Sequence, residues 1–203
     1  MFVWGVISMG KTNNRKKTKI IRVLGFDPGP KNFGCFAGEL ILKRSMPLLR
    51  IKESAMLENT VQDLTGDLNE HIEDFLDEMM YYLETYNPHA IVTERFMTRG
   101  FKGATIEYVC VMIGALTTLA YSFNPKIKII TPTAASWKNR VNKQLDLKTL
   151  YKVLKRYGIP DHRVDASLMS MYVLKKYDNP YTFLSHKEHR NKYIRSLIDS
   201  ESN

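Results

Sequence analysis

The 203-residue sequence predicts an α/β domain built on a mixed β-sheet. Three observations favour this fold class. An apolar, β-branched run ends at Asp27 and is followed by the turn Pro28-Gly29-Pro30 and a second apolar run. This pattern predicts a strand, a turn and a return strand. Further along, short apolar runs alternate with helical patterns. No internal repeat and no linker interrupts this order, so one domain is expected.

Five segments have the composition of strands. The first, 20–26, and the fourth, 90–94, are apolar runs bounded by turn residues, which is typical of buried strands. The remaining segments are 33–40, 48–56 and 127–131. Asp27 and Glu94 stand where the two buried strands end. The sequence therefore places a carboxylate at the end of each of two predicted core strands.

Helical periodicity follows the strands. Apolar residues between 72 and 83 recur at helical spacing and predict an amphipathic helix that buries one face. The segment 104–123 is apolar on more than one side, which suits either a buried central helix or a dimer interface, and Gly114 and Ala115 leave room for a neighbouring helix. Further helices are predicted at 147–157, at 161–177 with Asp161 as N-cap, and near 187–198.

Three regions are expected along the chain. Residues 1–19 form a basic, flexible N-terminal tail, residues 20–178 form the folded domain, and residues 179–203 form a charged tail with a short helix. The apolar stretch 1–8 is a poor signal peptide, and no apolar run is expected to span a membrane. Cys35 and Cys110 are expected as small buried core residues in a reducing compartment, which favours the cytoplasm.

The charge balance indicates a polyanionic partner. The net charge of +9 and the pI of about 9.4 make nucleic acid the first candidate, although a generally basic surface has the same signature. Two segments mix basic and aromatic side chains, which suit phosphate contacts and base stacking. Their residues are Arg95, Phe96, Arg99, Phe101 and Lys102 in the first, and Trp137, Lys138, Arg140 and Lys143 in the second. Phe96 and Phe101 suit buried loop anchors equally well.

Four residues are candidates for a metal centre. Asp27 and Glu94 end strands, and His162 and Asp165 are three positions apart, so they share a face of the first helical turn. Each alone has an ordinary explanation, such as a turn aspartate or a structural histidine. Together, carboxylates on adjoining elements could hold two divalent cations about 3.5–4 Å apart. Oxygen ligands suit Mg²⁺, and the histidine also suits Mn²⁺.

Four short motifs occur in an order that resembles the RuvC-type Holliday junction resolvases, which have a ribonuclease H-like fold. The motifs are Gly25-Phe26-Asp27-Pro28-Gly29, Val92-Thr93-Glu94, Thr131-Pro132-Thr133 with Trp137-Lys138, and His162-Arg163-Val164-Asp165-Ala166. The resemblance covers residues 20 to 175. It departs from the bacterial pattern where Val141-Asn142-Lys143 replaces a glycine-rich stretch, which favours a viral or otherwise divergent member.

The resemblance implies a ribonuclease H-like mixed five-stranded sheet flanked by helices. It also implies a homodimer that cuts branched DNA by paired symmetric nicks, with two Mg²⁺ ions per site that Mn²⁺ can replace. Asp27, Glu94, His162 and Asp165 would bind the metal and act in catalysis. Lys138 would lie near the scissile phosphate as a further catalytic residue, and Phe96 would occupy the place of an aromatic that wedges at the junction.

Two other functional classes stay open from the sequence. One is a ribonuclease H-like nuclease that acts on RNA or flap DNA, and the other is a non-catalytic junction-binding protein. The presence of Asp27, Glu94 and Asp165 argues against a decayed site. A sugar-kinase-like fold begins with a similar hairpin, but it would need further glycine-rich phosphate loops that this sequence lacks.

Overall fold

The computed structural model describes residues 19–29, 32–42, 48–58, 68–95, 104–142, 146–171 and 187–200. Its five strands form one mixed sheet in the order β3-β2-β1-β4-β5. The strands are β1 (Lys19–Asp27), β2 (Asn32–Leu42), β3 (Leu48–Glu58), β4 (Ala90–Thr93) and β5 (Lys128–Ile130). The first three pair antiparallel, and β1, β4 and β5 run parallel. The predicted five-stranded mixed sheet is confirmed.

Six helices occur in the described residues. They are α1 (Leu68–Tyr86), α2 (Ala104–Phe123), α3 (Ala134–Asn142), α4 (Leu147–Lys155), α5 (Asp161–Ser170) and α6 (Lys187–Asp199). Helix α3 was not predicted, because its segment was interpreted as a basic patch. Its helical periodicity rests on one apolar pair, Trp137 and Val141, at i and i+4. The prediction of Asp161 as N-cap is wrong. Pro160 holds that position without a side-chain bond, and Asp161 is the first helical residue.

The helices cover both faces of the sheet. Alternate residues of a strand point to opposite faces, so β1 contributes Val23 to one core and Leu24 and Phe26 to the other. The first face packs against α3, α4, α5 and α6, and the second packs against α1 and α2. The sheet is therefore the middle of three layers, and α5 lies against β1 and β2 on the first face.

Two glycines allow the backbone of α5 to approach the sheet closely. A Cβ atom at Gly25 would lie 2.2 Å from both the Ala166 carbonyl oxygen and the Ser170 Oγ. One at Gly34 would lie 2.3 Å from the carbonyl oxygen of His162. Gly25 is in β1 and Gly34 is in β2, so the two strands nearest α5 both lack a side chain at the contact. This close packing brings the first turn of α5 to the end of β1.

The C-terminal helix belongs to the folded core. Tyr193 and Leu197 of α6 are buried against the first face of the sheet. The buried Arg163 guanidinium donates to the Ser54 carbonyl oxygen at 2.6 Å and to Ser200 Oγ at 3.2 Å, which links α5 to β3 and to the end of α6. The segment 179–203 was expected to be a charged tail with a helix, but its described helix packs against the domain.

Helix α2 has an exposed apolar face. Its inward side is buried against the sheet and α1, whereas Cys110, Val111 and Tyr121 are exposed, so the prediction that Cys110 is a core residue is wrong. By length and composition alone, Ile106–Phe123 could cross a membrane, with a mean hydropathy of 1.5, contrary to the expectation from sequence. A core helix passes the same test, and Tyr108 and Met112 are buried inside the domain.

Candidate active site

Asp27 and Glu94 lie side by side at the carboxyl edge of the parallel strands. Phe26 pairs with Thr93 in the parallel register of β1 and β4, so the next residues, Asp27 and Glu94, lie at the same level. The Glu94 N–H donates to the Phe26 carbonyl oxygen at 3.3 Å. Asp27 is buried and Glu94 is half-buried. The structure thus brings together the two carboxylates that the sequence placed at strand ends.

His162 connects the first turn of α5 to Asp27. Its Nδ1 lies 2.6 Å from Asp27 Oδ2. This hydrogen bond raises the pKa of His162, although burial of the ring acts in the opposite direction. Negative charge from Asp27, Asp165 and Asp161 adds to the increase in the pKa. The imidazole therefore favours its protonated form while it faces the carboxylate.

Asp165 is buried one helical turn after His162 and has two partners. Lys138 Nζ lies 2.8 Å from Oδ2, and the Tyr151 hydroxyl donates to Oδ1. Burial raises the pKa of Asp165, and the nearby charge of Asp27 raises it further, while Lys138 and Tyr151 offset part of the effect. Like charges in a poorly solvated site disfavour ionisation. A cation placed near Asp165 would relieve this cost.

Lys138 supplies positive charge to the carboxylates from α3. Burial by itself would lower the pKa of Lys138, but Asp165, followed by Glu94 and Asp27, outweighs burial and raises it. The ammonium also lies 5.0 Å from the ring centroid of Trp137. The sequence suggested a lysine near a phosphate, and the structure places that lysine among the three carboxylates.

Trp137 faces inward and contacts Glu94. Its indole Nε1–H donates to Glu94 Oε2 at 2.8 Å, and the side chain is fully buried. Burial raises the pKa of Glu94, the indole bond lowers it, and the charge of Asp27 raises it again, with a net increase. The prediction that Trp137 contacts DNA is wrong, because a fully buried ring cannot stack on a base.

The donor set fits a hard divalent cation by its chemistry. Three carboxylates and an imidazole meet at one edge of the sheet, and the pKa values of Glu94 and Asp165 are raised by burial and by nearby negative charge. Among the described residues, no group of three or more His, Cys, Asp or Glu side chains is arranged to hold a metal ion. Lys138 Nζ lies 2.8 Å from Asp165 Oδ2, so this ammonium supplies positive charge to the carboxylates, and His162, at 2.6 Å from Asp27 Oδ2, adds to it when its imidazole is protonated.

The predicted DNA-contacting residues are only partly described. Arg95 is exposed and forms a bridge to Thr133, and its N–H donates to the Pro132 carbonyl oxygen at 2.8 Å, so it lies immediately beside Glu94 at the same edge. Arg140 is half-buried on α3. The other predicted contacts lie outside the described residues: Phe96, Arg99, Phe101, Lys102 and Lys143.

Sequence reasoning missed Tyr151 as a site residue. Its helix, α4, buries Leu147, Leu150 and Leu154 at helical spacing. Tyr151 lies four residues after Leu147, next to this buried stripe, so its ring packs inward with them. A buried tyrosine hydroxyl normally has a hydrogen-bond partner, which was the available signal. The identity of the partner, Asp165, depends on the packing of α4 against α5.

Comparison with known proteins supports the fold. No protein-family model matches the chain, and no curated protein matches its sequence. The structure of Thermus thermophilus RuvC matches with a TM-score of 0.57 at 14% identity, over 74% of this chain and 90% of that one. The chain has the RuvC fold. T. thermophilus RuvC in complex with a Holliday junction substrate matches with a TM-score of 0.55 at 16% identity, over the same shares of the two chains.

The RuvC fold accounts for the order of the four sequence motifs. The motif segments come from β1, from the end of β4, from the segment after β5 with α3, and from α5. Their acidic and basic side chains converge at one edge of the sheet, which the linear order alone did not require. The resemblance inferred from the motifs is therefore confirmed for the fold.

Proposed function

We propose that the protein is a metal-dependent endonuclease that resolves four-way or branched DNA junctions. The observation that carries the proposal is the convergence of Asp27, Glu94, His162 and Asp165, with Lys138 between them, at the carboxyl edge of the sheet. The likeness to a RuvC that has been solved in complex with a Holliday junction substrate supports this choice of substrate. The net charge of +9 suits a DNA partner.

Asp27, Glu94, Asp165 and His162 would hold Mg²⁺, with Mn²⁺ as a substitute. Such ions make a bound water more acidic and stabilise charge on a phosphodiester. The chain itself contributes the buried carboxylates and a lysine whose raised pKa keeps it charged. The Lys138 ammonium is thus available to stabilise negative charge on a phosphate at this edge. Arg95, exposed beside Glu94, is positioned to contact the DNA backbone.

The exposed face of α2 supports a homodimer. Its exposed residues form one stripe at helical spacing, which is apolar or small in the middle and polar at both ends: Glu107, Cys110, Val111, Gly114, Thr118, Tyr121 and Ser122. A Cβ atom at Gly114 would meet nothing within 4 Å, so a neighbouring backbone can approach there. We propose that the same helix of a second copy covers this stripe. Two identical sites related by a two-fold axis would make the paired symmetric nicks.

The test is cleavage of labelled four-way junction, duplex and RNA–DNA hybrid, each with and without Mg²⁺. We expect cleavage of the junction that depends on Mg²⁺. Asp27→Asn should reduce it by more than the ~10–100-fold that is typical for a residue that only supports a ligand, while junction binding persists. Asp77→Asn is the matched control, because it removes the same charge from an exposed position on α1, which packs against the other face of the sheet.

Each alternative outcome has a distinct meaning. Preferential cutting of the hybrid would indicate a ribonuclease H-like activity. Tight junction binding without cleavage under any divalent cation would indicate a binding protein. Wild-type rates in Asp27→Asn would contradict the assignment of the site.

A further inference from the structure

We infer that Trp137 and Tyr151 are positioning residues, which fix the Glu94 and Asp165 carboxylates at the edge of the sheet where a divalent cation would bind. The inference rests on the proposed function, because it assigns roles around the same site. The two aromatic side chains come from successive helices, α3 and α4, and each donates to an oxygen of a different carboxylate. Neither residue is one of the four candidate ligands.

Trp137 is a rigid donor to Glu94. An indole N–H can only donate, so it specifies an acceptor oxygen at the 2.8 Å contact with Glu94 Oε2. The side chain is fully buried and packs with Val141 in the core beneath α3, so the position of the N–H is set by packing. Glu94 itself follows the end of β4 and is half-buried. Without the indole, the Glu94 side chain would lose this hydrogen bond and would be freer to rotate.

Tyr151 holds Asp165 in the same way from the other side. A tyrosine hydroxyl is protonated near neutral pH and can donate to Asp165 Oδ1. The ring is half-buried against the core that contains Leu147, Leu150 and Leu154. Lys138 lies at the second oxygen, Oδ2, at 2.8 Å. The donor from α4 therefore defines which oxygen faces the lysine and the other carboxylates.

Supporting hydrogen bonds of this kind affect a metal site more than they affect the fold. Outer partners of ligands orient them, and their loss commonly costs ~10–100-fold in metal affinity or activity. The competing explanation is that both bonds merely attach α3 and α4 to the domain. The two explanations predict different effects when only the hydrogen-bonding group is removed. A positioning role predicts weaker ion binding, whereas a purely structural role predicts a loss of stability alone.

Tyr193 provides a matched control. It is a buried tyrosine in the same core as Tyr151, and its hydroxyl lies 2.5 Å from Ser167 Oγ. Tyr151→Phe and Tyr193→Phe each remove one hydroxyl from a hydrogen bond without removing the ring. The hydrogen bond lost in Tyr151→Phe ends on a candidate ligand, Asp165, whereas the one lost in Tyr193→Phe ends on Ser167. A purely structural effect should therefore appear in both variants, and a positioning effect only in Tyr151→Phe.

The experiment is a titration of the DNA-free protein with Mn²⁺, and separately with Mg²⁺, by calorimetry, together with thermal unfolding. We expect Tyr151→Phe to raise the dissociation constant of the ion by about 10-fold or more, and Tyr193→Phe to leave it unchanged. Trp137→Phe should also weaken binding. A second measurement uses the wild-type protein. Because the chain has only two tryptophans, the indole N–H resonance of Trp137 can be followed by NMR. We expect this resonance to shift during the Mg²⁺ titration, with the same midpoint as ion binding.

The outcomes separate this inference from the proposed function. If wild type binds ions and cuts junctions while Tyr151→Phe binds them equally well, the inference is overturned and the nuclease proposal stands. Equal losses of ion affinity in Tyr151→Phe and Tyr193→Phe would overturn it as well, because the role would be structural. A wild-type protein that binds neither ion would overturn both.

Discussion

Gly25→Ala offers a sharp test of how the fold positions the site. Gly25 and Asp27 are two positions apart in β1, so they face the same side of the sheet. An added Cβ would lie 2.2 Å from the Ala166 carbonyl oxygen and from Ser170 Oγ, and it would lie 3.1 Å from the Ala166 carbonyl carbon. The hydroxyl of Ser170 can rotate away, but the Ala166 carbonyl belongs to the backbone of α5. The helix must therefore move.

The size of the movement follows from the contact. Real Cβ atoms essentially never approach a heavy atom within 3.0 Å, so α5 has to retreat by about 0.8 Å to relieve the 2.2 Å contact that the new methyl group would make. A shift of that size would lengthen the 2.6 Å contact between His162 Nδ1 and Asp27 Oδ2 beyond the ~3.2 Å limit of a good hydrogen bond. Overpacking of this kind typically costs ~1–3 kcal/mol in the free energy of unfolding. Misplacement of catalytic groups by ~1 Å can cost ~100-fold in rate.

The assay combines urea unfolding with junction cleavage at saturating Mg²⁺. Ser170→Ala is the control, because it removes the hydroxyl from the same interface without adding volume. We expect Gly25→Ala to lose both stability and rate, and Ser170→Ala to retain the rate. A Gly25→Ala protein with wild-type stability and wild-type cleavage would refute the reasoning that close packing of α5 on β1 builds the site.

Two further predictions concern other surfaces. Val111→Glu places a charge at a 40% exposed position on the stripe of α2, so light scattering should show a monomer in place of a dimer. Thr85→Glu, at an exposed position on α1, should leave the dimer intact. A wild-type protein that is monomeric would contradict the proposed dimer. His89 Nδ1 accepts from the Arg22 N–H at 3.0 Å, and burial, followed by the charge of Arg22, lowers the pKa of His89. The unfolded state then binds this proton more tightly, so the contribution of His89 to stability should fall as the pH drops below about 6.5. In urea unfolding, the wild type should therefore lose more stability between pH 7.5 and 5.0 than His89→Ala does.

Much of the fold could be predicted because its signals are local. The β-branched run before Asp27, the Pro-Gly-Pro turn and the apolar segment before Glu94 each specify a strand from neighbouring residues alone. The bounds differed from those predicted by a few residues, since helix ends depend on capping and packing. Helix α5 ends at Ser170, whereas periodicity extended it to 177.

Other features could not be predicted because they depend on which side of a helix a residue lies, the side toward the core or the side toward solvent. Trp137 belongs to a basic segment that suggested a surface patch, yet the helix it forms turns the indole into the core and toward Glu94. Cys110 belongs to an apolar segment that suggested burial, yet it lies on the outward stripe of α2. In both cases composition was a poor guide, since one helix always has both an inward and an outward side.

By itself, the sequence determined the chemistry that this protein has available, namely two strand-end carboxylates, a histidine and aspartate on one helical turn, and an excess of basic charge. Only the tertiary structure decided how those groups meet. The parallel register of β1 and β4 aligned Asp27 with Glu94, and the missing side chain at Gly25 let α5 come close enough to complete the group. Strand pairing and close packing join residues that are far apart in the chain, so the distances between their side chains are set by contacts that no local pattern contains.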